Sequence, residues 1–374
     1  MKRLFLSIVT FLTVIILTLS ATACGGKVKD DTEETPPEQQ TEHTEHTFNK
    51  GFCECGEIDL TFNTDGLSFA LIGEGDTAYY SVTGYSGSDK KVLIAKEYQG
   101  KPVKEIGEYA FQGQLNRVNF INIPDTIEKI GKESFDSCTS IKKIVIPKNV
   151  KVIGEHAFKN CLNVTEIDYR ATECEIEYYK HVEGKSDEKN SYCNPFLMVG
   201  TGTDGVTLTI GKTVKSIPYN AFYLGYAYFD EYAPNVSGSP KITSVIFEDD
   251  GECTKIGDNA FFNARYLESV SFGNNSKIDT FGNSTFGNCT LLTEITIPTS
   301  VTTIGRYTFS ACAKLERVNI SKLDGWNLYP RTGDDKIEGF NLSTAILHGE
   351  TENQTFARLM KGDYAKYTWT QIKR

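Results

Sequence analysis

Between residues 100 and 320, apolar side chains return along the chain at one fixed set of offsets. Residues 139–161 read TSIKKIVIPKNVKVIGEHAFKNC and residues 290–312 read TLLTEITIPTSVTTIGRYTFSAC. In the second phrase Leu292, Ile295, Ile297, Val301, Ile304 and Phe309 form the apolar set, and Ile141, Ile144, Ile146, Val150, Ile153 and Phe158 repeat it in the first. Ile295 and Ile297 stand two apart around a polar Thr296, which predicts a short strand with alternate residues inward. Pro298 ends that ladder because it has no N–H to donate. Val301 and Ile304 then line a return leg, Gly305 permits a turn, and the Phe plugs the end of the coil.

The unit that closes each coil recurs as IGEYAF (106–111), IGKESF (130–135), IGEHAF (153–158), IPYNAF (217–222), IGDNAF (256–261) and IGRYTF (304–309), with diverged copies ending at Phe196 and Phe286. Most steps between successive Phe positions are 23 to 26 residues, and two are 38 and 39. One period is one coil of a solenoid spanning 91–323, with about eight coils and with insertions near 168–194 and 223–240 in the long steps. No coil can bury its apolar set alone, so neighbours must stack into a continuous core.

The flanks break the pattern. Residues 60–85, LTFNTDGLSFALIGEGDTAYYSVTGY, alternate apolar residues with turn glycines and read as part of a β-rich N-terminal cap over 51–90. Residues 324–374 lose the repeat and gain Trp326, Trp369 and a Tyr-rich end, which suits a C-terminal cap; an aromatic ligand patch is the alternative. The first 23 residues, with Lys2-Arg3, an apolar run and Ala21-Thr22-Ala23, are a signal peptide. The small residues before Cys24, with Gly25-Gly26 after it, resemble the lipobox of bacterial lipoproteins, which implies a lipid on Cys24; the alternative is an ordinary secretory peptide cut near Ala23. Residues 24–50 are acidic and nearly free of apolar side chains, the composition of a solvated linker. Removing Lys2 and Arg3 takes the net charge from −10 to −12, a surface that repels phosphate backbones, so no nucleic-acid partner is expected.

Candidate chemistry is sparse. His43, His46, Cys53 and Cys55 have ligand types that could close around zinc, but Cys-x-Cys is tighter than the usual zinc knuckle, so the default is a Cys pair and no cofactor. Cys138, Cys161, Cys289 and Cys312 each stand three residues after a coil Phe, a place held elsewhere by Ala264, Gln114 and Gly225, and read as buried packing thiols. Cys174 and Cys193 bracket the first insertion and are the pair to suspect of a bridge, although spacing leaves the pairing open. The pairs Asp249-Asp250 and Asp334-Asp335 lie in turn-like polar stretches, and no nucleophile has a base placed by the repeat to meet it. No enzyme and no small-molecule substrate are expected.

The phrase IPxSVxxIGxxxFxxC at 297–312, its copy at 146–161 and YQGKPVKEIGEYAF at 98–111 resemble the BspA-type leucine-rich repeat family of bacterial surface proteins. That resemblance implies a β-rich, right-handed solenoid of short strands with turns or short helices, capped at both ends. It further implies an exported and often anchored chain, adhesion to host or matrix proteins, and no catalytic residues. Function then belongs to the variable positions. The outward strand positions read Asn122, Val145, Asp168, Thr209, Ile246, Ser271, Thr296 and Asn319, a polar stripe with little charge, suited to a protein or glycan. The insertion between Asp168 and Asn194, whose Tyr178, Tyr179 and Tyr192 add rigid contact surface, is expected to govern what the protein touches, more than the repeat core; the alternative is a tolerated loop without a partner. The expectation is a lipid-anchored module displayed outside the cytoplasm, on a bacterial cell surface, that binds an extracellular protein or glycan; the alternative is a structural envelope protein without a dedicated ligand.

Overall fold

The structure is a computed structural model, and it describes residues 46–115, 117–177, 194–223, 240–321, 324–330, 336–341, 349–362 and 364–371. Cys24, His43, Tyr178, Tyr179, Tyr192, Cys193 and Asp334-Asp335 lie outside those residues. The coil is made as its apolar spacing requires, with all twelve residues of the two quoted apolar sets buried. Strands Lys143–Ile146, Glu166–Tyr169, Val206–Ile210, Ile242–Phe247 and Ser269–Ser271 stack in parallel into one sheet, and Glu294–Thr296 pairs in parallel with Arg317–Asn319. The return leg is itself a strand, only two residues long in most coils. Lys129–Ile130, Val152–Ile153 and Glu175–Ile176 pair in parallel on one stretch, and Ser216–Ile217, Lys255–Ile256, Thr280–Phe281 and Thr303–Ile304 on another. Each coil therefore has two strands, one more than the apolar pattern indicated.

The corner after the return leg carries the closing Phe. Phe111, Phe135, Phe158, Phe196, Phe222, Phe261, Phe286 and Phe309 form one continuous column, successive rings lying 5.0 to 5.8 Å apart and within 27° of parallel. Every one of these rings is buried. The corner backbone is tied across coils as well: the Phe135 amide donates to the Ala157 carbonyl at 2.7 Å and the Phe286 amide to the Thr308 carbonyl at 3.0 Å. The glycine of the unit has a different task from the turn expected of it. A Cβ on Gly305 would lie 2.4 Å from the Gly282 carbonyl carbon, so glycine is there to let adjacent backbones touch. Left-handed φ falls instead on residues such as His156, Tyr307, Asn160 and Ala311, two and six places after that glycine.

The repeat thiols pack as expected and also hydrogen-bond. Cys138 donates to the carbonyl of Phe111, Cys161 to Phe135, Cys289 to Phe261 and Cys312 to Phe286, at 3.1 to 3.4 Å, always one coil back. Gln114, at the same repeat position, spends its side-chain amide the same way on the Tyr85 carbonyl at 3.0 Å. That explains why a longer polar residue fits a position otherwise taken by small ones. Cys174 is buried, and its suspected partner Cys193 lies outside the described residues.

At the start of the solenoid, strands Leu67–Ile72 and Tyr79–Tyr85 form an antiparallel pair, and the second runs parallel to Lys101–Ile106. At the far end, Thr368–Gln371 pairs antiparallel with Thr303–Ile304 and with Asp324–Tyr329. The helix Glu352–Lys361 opens on a capping box in which the Thr351 hydroxyl accepts from the Gln354 amide and the Gln354 side chain accepts from the Thr351 amide. It buries Phe356, Leu359 and Met360. Trp326 and Trp369 are both fully buried, their rings 6.2 Å apart, which removes them as an aromatic ligand patch.

Candidate functional site

Strand alternation puts two rows of side chains on the outside of the longer strands. Val145, Asp168, Thr209, Ile246 and Ser271 stand opposite one another in successive strands, and Thr296 stands opposite Asn319 in the next pair. The row read from the sequence is thus in register across the sheet, with one correction. Asn122 is buried: its side chain accepts from the Ile94 amide at 2.6 Å and donates to the Ile94 carbonyl at 3.0 Å. It is covered because strand Phe120–Ile121 pairs with Lys91–Val92, whose continuing backbone needs those partners.

Two residues earlier runs a second outward row that the sequence reading missed, comprising Lys143, Glu166, Thr207, Ser244 and Ser269, followed by Glu294 opposite Arg317. The period of two that gave the first row was the available signal. With this row the face is charged, contrary to the stripe of little charge expected. Lys143 pairs with Glu166 at 3.0 Å and Arg317 with Glu294 at 2.5 Å. Arg170 donates to Asp168 at 2.8 Å and reaches Glu248 at 3.7 Å. Gly211 lies beneath that reach, since a Cβ there would stand 3.0 Å from Arg170 Cγ. The Arg317 guanidinium, and secondarily the Asn319 amide, hold the Glu294 carboxyl below the usual range.

Lys143, Glu166, Asp168, Arg170, Thr207 and Thr209 line an open depression of about 350 Å³ on this face. It presents two cations, two carboxylates and two hydroxyls to solvent. The solvent-exposed Lys143–Glu166 pair contributes little to stability, about 0 to 1 kcal/mol, so it can exchange partners at small cost. Ile246 adds an exposed apolar side chain to the same row.

Asp249 and Asp250 belong to the scaffold. Asp249 accepts from the Asn274 backbone amide at 2.6 Å and side-chain amide at 3.0 Å, and Asp250 accepts from Asn275 at 2.9 Å, bonds that lower both carboxyls. Burial disfavours the thiolate form of most repeat thiols, pushing Cys138 up to about 12 and Cys161 and Cys289 well above the ordinary thiol value. Cys312 alone among them is drawn down, by its hydrogen bond with Cys289, but it too is buried. Burial likewise lifts Cys174 to about 12.

Three of the four residues named as metal ligands converge. His46, Cys53 and Cys55 bring their donor atoms within 4.8 Å of one another. Two reversals of the chain make this happen. Asn49 and Phe52 exchange backbone hydrogen bonds at 2.9 and 3.0 Å around Lys50 and Gly51, and the Cys53 amide donates to the Glu57 carbonyl at 2.9 Å. Gly56, with φ of +96°, supplies the left-handed residue of the second reversal. The Cys55 thiol draws the Cys53 thiol down to about 7 by hydrogen bonding and is itself raised by the same contact.

A stack of parallel two-strand coils closed by a column of Phe, with variable residues on its strand face, defines a leucine-rich-repeat solenoid. Residues 101–186 and 236–330 match the BspA type leucine rich repeat region in six copies, so the chain carries the repeats of that family. Leucine-rich repeats of this type are in general a binding scaffold and not typically enzymatic. Among solved structures, the chain is similar to a leucine-rich repeat protein of T. pallidum, with 18% identity and a TM-score of 0.38 over 67% of this chain and 88% of that one. A leucine-rich cell surface protein of Faecalibacterium prausnitzii is 24% identical with a TM-score of 0.27, covering 69% and 88%. The pneumococcal vaccine antigen PcpA is 15% identical with a TM-score of 0.26, covering 69% and 80%. No curated protein matches the sequence.

Proposed function

We propose that this chain is a binding module displayed outside the bacterial cytoplasm, held by a lipid on Cys24 and taking an extracellular protein or glycan on its strand face. The observation that carries the reading is the pair of in-register outward rows, which bring Asp168, Thr209, Ile246, Lys143, Glu166 and Thr207 from successive coils onto one surface. A rigid repeat scaffold holds those groups in fixed spacing, so a ligand that spans several strands meets them without an ordering cost on the protein side. The alternating charges and hydroxyls favour a polar ligand with both donors and acceptors. The insertion between Asp168 and Asn194, with Tyr178, Tyr179 and Tyr192, is the second element proposed to touch it.

The test compares two variants on a panel of matrix proteins and glycans. One carries Thr209→Arg and Ile246→Arg, which fill the face and leave the core untouched. The other replaces residues 180–189 with a short Gly-Ser link. Loss of at least tenfold in affinity on the first variant, with unchanged unfolding, is expected. Binding that survives the strand substitutions and vanishes with the loop deletion would move the site to the insertion. Binding indifferent to both would end the proposal.

A further inference from the structure

The N-terminal knot of His46, Cys53 and Cys55 lies far along the chain from the strand face and has no part in the reading above. We propose that His46 Nδ1, Cys53 Sγ and Cys55 Sγ form a zinc site whose fourth tetrahedral position is open to water.

The donor set is the first argument. One imidazole and two thiols are the ligands zinc prefers, and three protein donors with one open position is a known coordination state of that ion. The second argument is convergence. His46 Nδ1 lies 3.2 Å from Cys55 Sγ, and Cys55 Sγ lies 3.0 Å from Cys53 Sγ. Tetrahedral zinc with Zn–S bonds of about 2.3 Å needs its two sulfurs about 3.8 Å apart. The thiols must therefore separate slightly, which their position at the surface allows, since Cys55 and His46 are exposed and Cys53 half-buried. The backbone has already made the two reversals that bring the donors together, so metal binding adds little ordering of the chain. Zn2+ takes the thiols as thiolates, and two protons leave to solvent; with neutral His46 and water the first shell then carries no net charge.

Two free thiols in an exported chain have a rival fate, a disulfide between Cys53 and Cys55. His46 separates the two. A disulfide makes no use of an imidazole placed against the sulfur, whereas a metal needs it. The zinc would clip the residues that end the acidic linker to the turn at 53–57, fixing where the tether enters the folded body.

The experiment loads the full chain with Zn2+ under anaerobic conditions, removes loose metal by gel filtration, and measures zinc by mass spectrometry and cobalt substitution by absorbance. About one zinc per chain is expected, and the Co2+ form should show the thiolate charge-transfer band and the intense visible bands of tetrahedral cobalt. Cys53→Ser with Cys55→Ser should lose both signals while circular dichroism stays unchanged, and His46→Ala should weaken binding at least tenfold. The proposal falls if the wild type retains no more zinc than the double variant. It also falls if protein recovered from cell envelopes without reductant carries an intact Cys53–Cys55 disulfide by peptide mass spectrometry. Equal zinc affinity in His46→Ala and wild type would remove the imidazole and with it the site as drawn.

Discussion

Phe158 lies flat between Phe135 at 5.0 Å and Phe196 at 5.5 Å, so its ring has a partner on each face and no route to solvent. Replacing it with Ala leaves a cavity whose walls are the neighbouring rings, each held by its own corner hydrogen bonds, and the expected loss is about 3 to 5 kcal/mol. Gly305 fails for the opposite reason. Gly305→Ala drives a methyl into the Gly282 and Asn283 backbones at 2.4 and 2.5 Å, an overpacking expected to destabilise by about 1 to 3 kcal/mol. Gly84→Ala is the control, since nothing lies within 4 Å of its Cβ position and its φ is ordinary. Urea unfolding of the three variants should rank them Phe158→Ala, Gly305→Ala, then Gly84→Ala near wild type; equal midpoints for the last two would remove the close-approach account. The column of rings was legible in the sequence down to the diverged copies at Phe196 and Phe286, because one large apolar residue per period has few other places to go. The duty of the glycine was not, because a contact between the backbones of different coils leaves no mark on local spacing.

At the scale of the element, the long outward strand was legible and the return strand was not. Two residues such as Val152-Ile153 or Thr303-Ile304 cannot display a period of two, and their strand character comes entirely from hydrogen bonds to the coils on either side. The corners hid for a related reason. Left-handed φ falls at one corner position on His156, Asn220 and Asn259, types that favour it, but equally on Tyr109, Glu133, Ser284 and Tyr307, so there the neighbouring coil imposes the conformation. Those same corner contacts explain how the solenoid ends. Glu133 and Ser284 donate their amides to Glu155 and Arg306 of the following coil, whereas Tyr307, at the last copy of the closing unit, donates to Ala365 at 2.6 Å. Ala365 thus accepts where the following coil's carbonyl accepts elsewhere, and Trp369 nearby is buried against Phe356 at 5.1 Å and Trp326. Trp369→Ala is expected to loosen the strand Thr368–Gln371 and to raise hydrogen exchange at Thr303, Ile304 and Tyr307 by at least tenfold. Exchange at Val152 and Ile153, several coils away, should not change. Uniform acceleration along the whole chain would show that the solenoid opens as one unit and that the C-terminal segment has no local role.

For the whole molecule, the physics of stacking and the physics of display meet. A solenoid spreads its core along one direction, so its strand face grows with coil number and the variable residues of many coils come to act on one ligand. We propose that the body is held at a cell surface and clear of it; loss of residues 1–23 would leave a net charge of −12, which disfavours settling onto anionic lipid. The 24–50 stretch is acidic and nearly without apolar groups, the composition of a solvated spacer, and that is the role we propose for it. The anchor proposed is lipid on Cys24. Each buried methylene contributes about 0.8 kcal/mol, and one acyl chain alone binds only marginally, so firm retention requires more than one chain on that cysteine. Cys24→Ser leaves the solenoid unchanged and removes every acyl chain together. The variant is expected in the soluble fraction after cell breakage and the wild type in the membrane fraction, with detergent releasing the wild type. A Cys24→Ser protein that still sediments with membranes would assign retention to the apolar segment 4–20 and end the case for lipid.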